Sequence, residues 1–218
     1  MASAVIENYL KALYTLANES GEINLSDLSA HLGVSKPTVN GMVKNLMQEG
    51  WVKYEKYKPL YLTRKGRKVA ALVIRKHRLT EMYLVEKMGF GWNEVHNIAE
   101  QIEHTKAPEF FDRMDKLLDF PKFDPHGSPI PDKEGNITEH DYKKLSECHV
   151  GDHVRLVALN HSSKEFLDFL DSRKISLKLE LQIKSFEPFD NSMLVGYHQH
   201  SSETLSQKVC ERLLVEKV

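Results

Sequence analysis

The residues best suited to chemistry in this chain are histidines and carboxylates at helical spacing. His77 and Glu81 stand four apart where Ala70, Ile74, Leu84 and Met88 form one apolar stripe, and they project from the middle of that stripe. A polar pair there is buried or at an interface and needs a partner, which is either its own mutual hydrogen bond or a metal ion. His96, Glu100, Glu103 and His104 follow at offsets 0, 4, 7 and 8, which on a helix fall within about 100° of arc. Val95, Ile98, Ala99 and Ile102 take the adjoining face, so the polar set is either a solvated side or a cation site. Carboxylates so close together repel one another unless a cation lies between them. Imidazole with carboxylate suits Mn(II), Fe(II), Co(II), Ni(II) or Zn(II), and no soft sulfur ligand is placed nearby. No HExxH occurs, so a zincin type of catalytic zinc site has no support.

A second set of residues has the character of a DNA reader. Ser35, Lys36, Pro37, Thr38, Asn40 and Gly41 occupy the first turns of a predicted helix, where a recognition helix faces base edges. Ser35 and Thr38 can bond phosphates or bases, Pro37 and the Thr38 methyl can touch thymine methyls, and Asn40 can read adenine. Lys44 on the same helix and Lys53, Lys56 and Lys58 on a predicted hairpin would neutralise phosphates. Winged helices also dock proteins and lysine-rich hairpins are often merely soluble, but the distribution of charge favours DNA. The net charge of −1 hides a split: residues 36–78 carry twelve bases against two acids, while residues 79–150 carry eight bases against fifteen acids.

The elements that must position these residues are legible from periodicity. Val5, Tyr9, Ala12, Leu13 and Leu16 predict a helix over 3–18, and Ser26 a cap for a short helix over 27–31 stopped by Gly33. Ser35 caps a third helix reaching Glu49, with Val39, Met42, Val43, Leu46 and Met47 inward. Residues 51–55 and 60–62 alternate as strands around a turn at 56–59, which completes the order of a winged helix-turn-helix. Helices follow over 64–88, 93–106 and 108–118. Residues 119–136, with four prolines and two glycines, form an extended connection. Strands over 150–157, 177–186, 193–197 and 212–218 surround one helical turn at 164–170.

The 218 residues hold no apolar run longer than Val69–Ile74, so no membrane span is expected, and the opening MASAVIENYLKALY has no secretory pattern. Cys148 and Cys210 form no zinc knuckle and are expected to be structural, in a cytoplasmic protein. The absence of a nucleophile–base pair or a phosphate-cradling glycine loop argues against an enzyme. The rival readings are a metal-independent winged-helix regulator with relic ligands, and a metalloenzyme or metal-buffering protein whose winged domain docks protein.

The segments NYLKALYTL, LSAHLGVSKPTVNGMVKNL, YEKYKPLYLTRKGR, RKHRLTEMYLVE, EVHNIAEQIEH and DPHGSPIP together resemble the diphtheria-toxin-repressor and manganese-transport-regulator family of metal-dependent repressors. The resemblance covers residues 3–135 in six ordered motifs, and the remainder is similar to the SH3-like domain of the longer members. It implies a mainly α fold with a small β domain: a winged helix-turn-helix (1–63), a helical metal-binding and dimerisation domain (64–140, with 119–140 as linker) and an SH3-like β-barrel (141–218). It implies a primary metal site at Asn8, Glu100, Glu103 and His104, and a second at His77, Glu81 and His96 with Glu165 and Asp168 from the SH3-like domain. Asp124 and His126 are further candidates.

Several positions depart from the family pattern. Asn8 stands where manganese regulators carry aspartate and iron regulators methionine, whereas Glu100 follows the manganese type. Lys11 replaces an acidic ligand of the short manganese regulators, and Gly41 replaces a glutamine that faces the bases. His198 and His200 share one face of a strand and are not counted as ligands. The resemblance implies a homodimer that binds a palindromic operator in double-stranded DNA when loaded with Mn(II), or alternatively Fe(II). Other divalent metals could substitute in vitro, and no membrane partner or organic cofactor is expected.

Overall fold

The computed structural model describes residues 3–56, 58–138, 140–197 and 200–218, with the backbone alone of His200 and Ser201. Tyr57, in the predicted hairpin turn, and His198 lie outside the described residues. By compactness the chain divides into two units, residues 1–80, 98–122 and 130–138 forming one and residues 81–97, 123–129 and 139–218 the other. The helical domain read from sequence is thus shared between them, and the long helix α4 (Arg64–Met88) runs from the first into the second.

In the first unit, α1 (Ala4–Leu16) starts on Ser3, whose Oγ accepts from the Ile6 amide, and buries Tyr9, Leu10, Ala12 and Leu13. Helix α2 (Leu25–Leu32) begins two residues earlier than predicted, with Asn24 rather than Ser26 at its N-cap. It closes on Gly33 in the left-handed region, φ 65°, with amides returned to Ala30 and Ser29. Helix α3 (Lys36–Gln48) is capped by Ser35, which accepts from the Thr38 amide, and Pro37 sits harmlessly in its first turn. Val39, Val43 and Leu46 point inward as predicted, but Met47 is exposed. Strands β1 (Val52–Lys53) and β2 (Tyr61–Leu62) pair antiparallel with Val52 opposite Leu62, and a bridge from Ile23 to Leu60 ties the hairpin to the helices. Tyr9, Leu10, Leu13, Leu28, Val39, Val43, Leu46 and Leu60 close the core of this winged helix-turn-helix. Thr63 joins the wing to α4 by donating to the Gly50 carbonyl while accepting from the Gly66 amide.

Helix α5 (His96–Ile102) is shorter than the predicted 93–106. At its start Glu94 turns its carboxylate onto the Gly91 amide, and beyond its end Glu103 and His104 lie in a turn before α6 (Pro108–Leu117). The second unit carries a six-stranded antiparallel sheet in the order β3-β8-β4-β5-β6-β7. Its strands are β3 (Lys143–Lys144), β4 (His153–Leu159), β5 (Glu180–Glu187), β6 (Ser192–Tyr197), β7 (His200–Leu205) and β8 (Leu213–Lys217). Helices α7 (Lys164–Ser172) and α8 (Gln207–Cys210) complete this SH3-like domain. Its core gathers Leu156, Leu170, Ile175, Leu181, Val195 and Leu213, with both cysteines buried as free thiols. Strands β3 and β7 and helix α8 lie outside the predicted elements.

Candidate metal centre and nucleic-acid interface

All the described residues read as DNA contacts are exposed on the winged domain: Ser35, Lys36, Pro37, Thr38, Asn40 and Lys44 on α3, and Lys53, Lys56 and Lys58 on the hairpin. The Ser35 and Thr38 hydroxyls are 2.8 Å apart, so the helix start presents a linked pair of hydroxyls beside Lys36. Lys58 is paired with Glu55, 2.5 Å away, and both are largely exposed, so the pair is open to exchange with a phosphate.

Two clusters of ionisable groups lie among the residues read as ligands. The first belongs to the first unit and centres on Glu103, whose side chain has no solvent exposure. Lys11 Nζ lies 2.7 Å from Glu103 Oε1 and 3.2 Å from Glu100 Oε1, and His77 Nδ1 lies 2.5 Å from Glu103 Oε2. His104 Nδ1 meets Glu7 Oε2 at 2.6 Å, while its Nε2 is 3.5 Å from Glu103 Oε1. Burial pushes the Glu103 carboxyl up, but the hydrogen bonds and charges of His77 and Lys11 outweigh it and hold the group below the usual carboxylate value. Glu100, Glu103 and His104 are therefore brought together as read from spacing. Asn8 is exposed, and the α1 residues that reach the cluster are Glu7 and Lys11.

The second cluster belongs to the second unit. Glu81, Asp124 and His126 are 2%, 5% and 5% exposed, and each offers an oxygen or ring nitrogen within 4.8 Å of the others. His126 Nε2 lies 2.9 Å from the Trp92 carbonyl, which can only accept, so Nε2 carries the proton. Its Nδ1 then faces Glu81 Oε2 at 3.7 Å. Asp124 Oδ1 is fixed by the amides of His126 and Ser128, at 2.8 and 2.9 Å. His96 Nδ1 lies 3.3 Å from Glu81 Oε1 and is largely exposed. Burial lowers the His126 pKa, but the Glu81 hydrogen bond, the charges of Asp124 and Glu81 and the Trp92 carbonyl raise it further, leaving it above its ordinary value. Without metal the raised pKa favours a proton on Nδ1 as well; a hard or borderline divalent cation would displace that proton and take Nδ1, oriented by the carbonyl on the opposite nitrogen, together with the two carboxylates.

The loop carrying this cluster is pinned from two sides. Trp92 Nε1 donates to Asp171, its ring stacks on His126 with centroids 6.0 Å apart, and the Leu159 amide donates to the His126 carbonyl. Gly127, at φ 83°, leaves room for β4: a Cβ there would stand 2.3 Å from the Val157 carbonyl oxygen. Trp92 was not read as functional from sequence, since its only signal is a tryptophan just before His96. Of the expected SH3-domain donors, Asp168 bonds Asn93 Nδ2 at 2.7 Å and pairs with Lys164, while Glu165 is exposed. Neither belongs to the buried group of three.

Comparison with known proteins adds an independent line. A family model described as "Iron dependent repressor, N-terminal DNA binding domain" matches residues 1–60, and one described as "Iron dependent repressor, metal binding and dimerisation domain" matches residues 63–132. The iron-dependent repressor IdeR of Mycobacterium tuberculosis is 37% identical over 125 residues, 57% of this chain and 54% of that repressor. The chain thus matches about half the length of the curated relatives. A solved manganese-dependent transcriptional repressor in complex with manganese is 28% identical with a TM-score of 0.87, covering 98% of this chain and 100% of that one. ScaR with bound Zn2+ is 30% identical with a TM-score of 0.82, covering 98% of this chain and 99% of that one. Among the described residues no helix is long and apolar enough to cross a membrane.

Proposed function

Because the chain belongs to the iron-dependent repressor family, we propose that it is a non-enzymatic, metal-dependent transcriptional repressor of metal homeostasis. It acts as a homodimer on a palindromic operator, with Mn(II) as the activating ion and Fe(II) as the alternative. The observation that carries this reading is the buried trio Glu81, Asp124 and His126. Two carboxylates about 95% buried or more are costly to leave together, and a protonated His126 balances only one of the two negative charges. The oxygen-rich donor set, without thiolate, favours Mn(II) over softer ions. His96 joins from the solvent side of Glu81, whereas His77, the other α4 histidine read as a ligand, is engaged with Glu103. Glu165 and Asp168 are left out of the set, since the latter is engaged with Lys164 and Asn93.

The residues of the chain divide the work. Trp92 holds the proton of His126 on Nε2, the Asp124 carboxylate is oriented by two amides, and Gly127 seats the loop against β4. A bound cation supplies a fixed charge that neutralises Glu81 and Asp124. On the winged domain, the α3 start and the lysines of the hairpin bind DNA. By linkage, metal tightens DNA binding only as far as it prefers the DNA-competent arrangement, and DNA must tighten metal binding by the same factor. Crystals soaked in Mn(II) should give an anomalous peak bounded by Glu81, Asp124 and His126, and mobility-shift assays on DNA selected from a random pool should show retardation only with metal. Equal retardation with and without metal would sink the switch.

A further inference from the structure

Glu103 is the most buried carboxylate among the ionisable groups of the first unit, and each of its oxygens already has a hydrogen-bond partner. Lys11 Nζ lies against Oε1 at 2.7 Å and His77 Nδ1 against Oε2 at 2.5 Å. The same ammonium reaches Glu100 at 3.2 Å, so one positive charge bridges the two carboxylates. Metal–oxygen bonds to a transition-metal ion are about 2.0–2.2 Å long. An ion bound between Glu100 and Glu103 would stand where the Lys11 ammonium stands, and two cations cannot share that pair of oxygens. With Lys11 in place, this set does not fit a metal.

We propose that Lys11 is a built-in cation of the Glu100–Glu103 cluster, holding α1 in place without metal and leaving the centre built on Glu81, with Asp124 and His126, to bind the transition metal among the described residues. Lys11 is well placed for the part. It projects from α1 one turn after Glu7, and Glu7 makes a second tie from the same helix face to His104. Two charged side chains from one face of α1 therefore grip the segment Glu100–His104. The winged domain, whose core includes α1, is tethered by the chain's own charges. Asn8, one residue from Glu7, is rotated by about 100° on the helix and faces solvent. That the remaining metal centre governs DNA binding rests on the function proposed above; the count of metal ions does not.

Equilibrium dialysis of metal-free full-length protein against Mn(II), with free ion followed by electron paramagnetic resonance, reads that count without DNA. Wild type is expected to bind one tight Mn(II) per protomer. Glu103→Gln and Lys11→Arg should leave the count at one, Glu81→Gln should remove it, and Lys11→Met should raise it to two by freeing the carboxylates. A wild-type count of two that falls to one in Glu103→Gln overturns the proposal, as does a Lys11→Met protein that folds and still binds one. Should Lys11→Met fail to fold, the Glu103→Gln and Lys11→Arg counts decide alone. A metal count as expected together with DNA binding blind to metal would leave the built-in cation standing and remove the proposed switch.

Discussion

Removing the Lys11 charge tests the energetics of the Glu103 cluster apart from any metal. At 2.7 Å and an effective dielectric of about 20, the Lys11–Glu103 attraction is about 6 kcal/mol before desolvation. Stripping the partner from a buried charge costs about 3–5 kcal/mol, but His77 still holds the other Glu103 oxygen, so Lys11→Met should cost about 2–3 kcal/mol. Glu103→Gln keeps the shape and leaves Lys11 with Glu100 and partial access to water, at a cost of about 1–2 kcal/mol. The double variant has no stranded charge and should lose no more than Glu103→Gln, giving a coupling of about 2–3 kcal/mol.

The assay is urea unfolding of the four proteins in EDTA, followed by far-ultraviolet circular dichroism. Acid adds a second readout. The folded-state Glu103 carboxyl lies below its ordinary value, so its contribution is complete above the unfolded carboxyl range and is lost as pH falls through the folded value. Lys11→Met removes one cause of that depression and should move the acid transition to higher pH. A coupling below about 0.5 kcal/mol, or an acid transition that does not move, would refute the reasoning.

Gly127→Ala places a Cβ 2.3 Å from the Val157 carbonyl at a left-handed φ, which should cost about 2–4 kcal/mol and weaken Mn(II) binding at least tenfold by dislodging His126; unchanged Mn(II) affinity in dialysis would contradict the loop's role. Lys44→Ala and Lys53→Ala should each weaken DNA binding across sequences and reduce the slope of log affinity against log salt by about one, measured by titration at several salt concentrations; an unchanged slope would remove that lysine from the phosphate contacts. Cys210 is fully buried and its thiol is pushed up to about 11 by burial, and Cys148 is raised in the same way, so neither should react with an aromatic disulfide reagent at pH 8 until the protein is unfolded; rapid reaction of the folded protein would contradict the packing of that core.

What could be read from sequence was what is local. Ser35, Gly33 and Pro37 mark helix ends through their own backbone chemistry, and the winged order followed from them. Helix α5 is shorter than periodicity predicts because Asn93–Val95 and Glu103–Lys106 continue its pattern, while the Glu94 side-chain bond to Gly91 and the turn at Glu103 are not periodic features. Strand β7 stayed hidden because it lies at the edge of the sheet, and Leu205 is its one apolar residue. At the clusters, spacing brought out Glu81, His96, Glu100, Glu103 and His104, which share or adjoin helices. It could not pair Lys11 with a carboxylate 92 residues away, nor choose Glu7 over Asn8, because one step along a helix turns a side chain by about 100°. Asp124 and His126 came only from the family resemblance, since a loop has no period to announce its ligands.

The central claim to test is that metal at the buried trio controls DNA binding. The most direct measurement is the affinity of wild type and Glu81→Gln for fluorescently labelled selected DNA, by anisotropy, with EDTA and with Mn(II). The account predicts that Mn(II) tightens wild-type binding by a factor of about 5–150, the usual range of coupling between two sites, and leaves Glu81→Gln at its metal-free affinity. Equal wild-type affinity in EDTA and Mn(II), or a full response in Glu81→Gln, would contradict it.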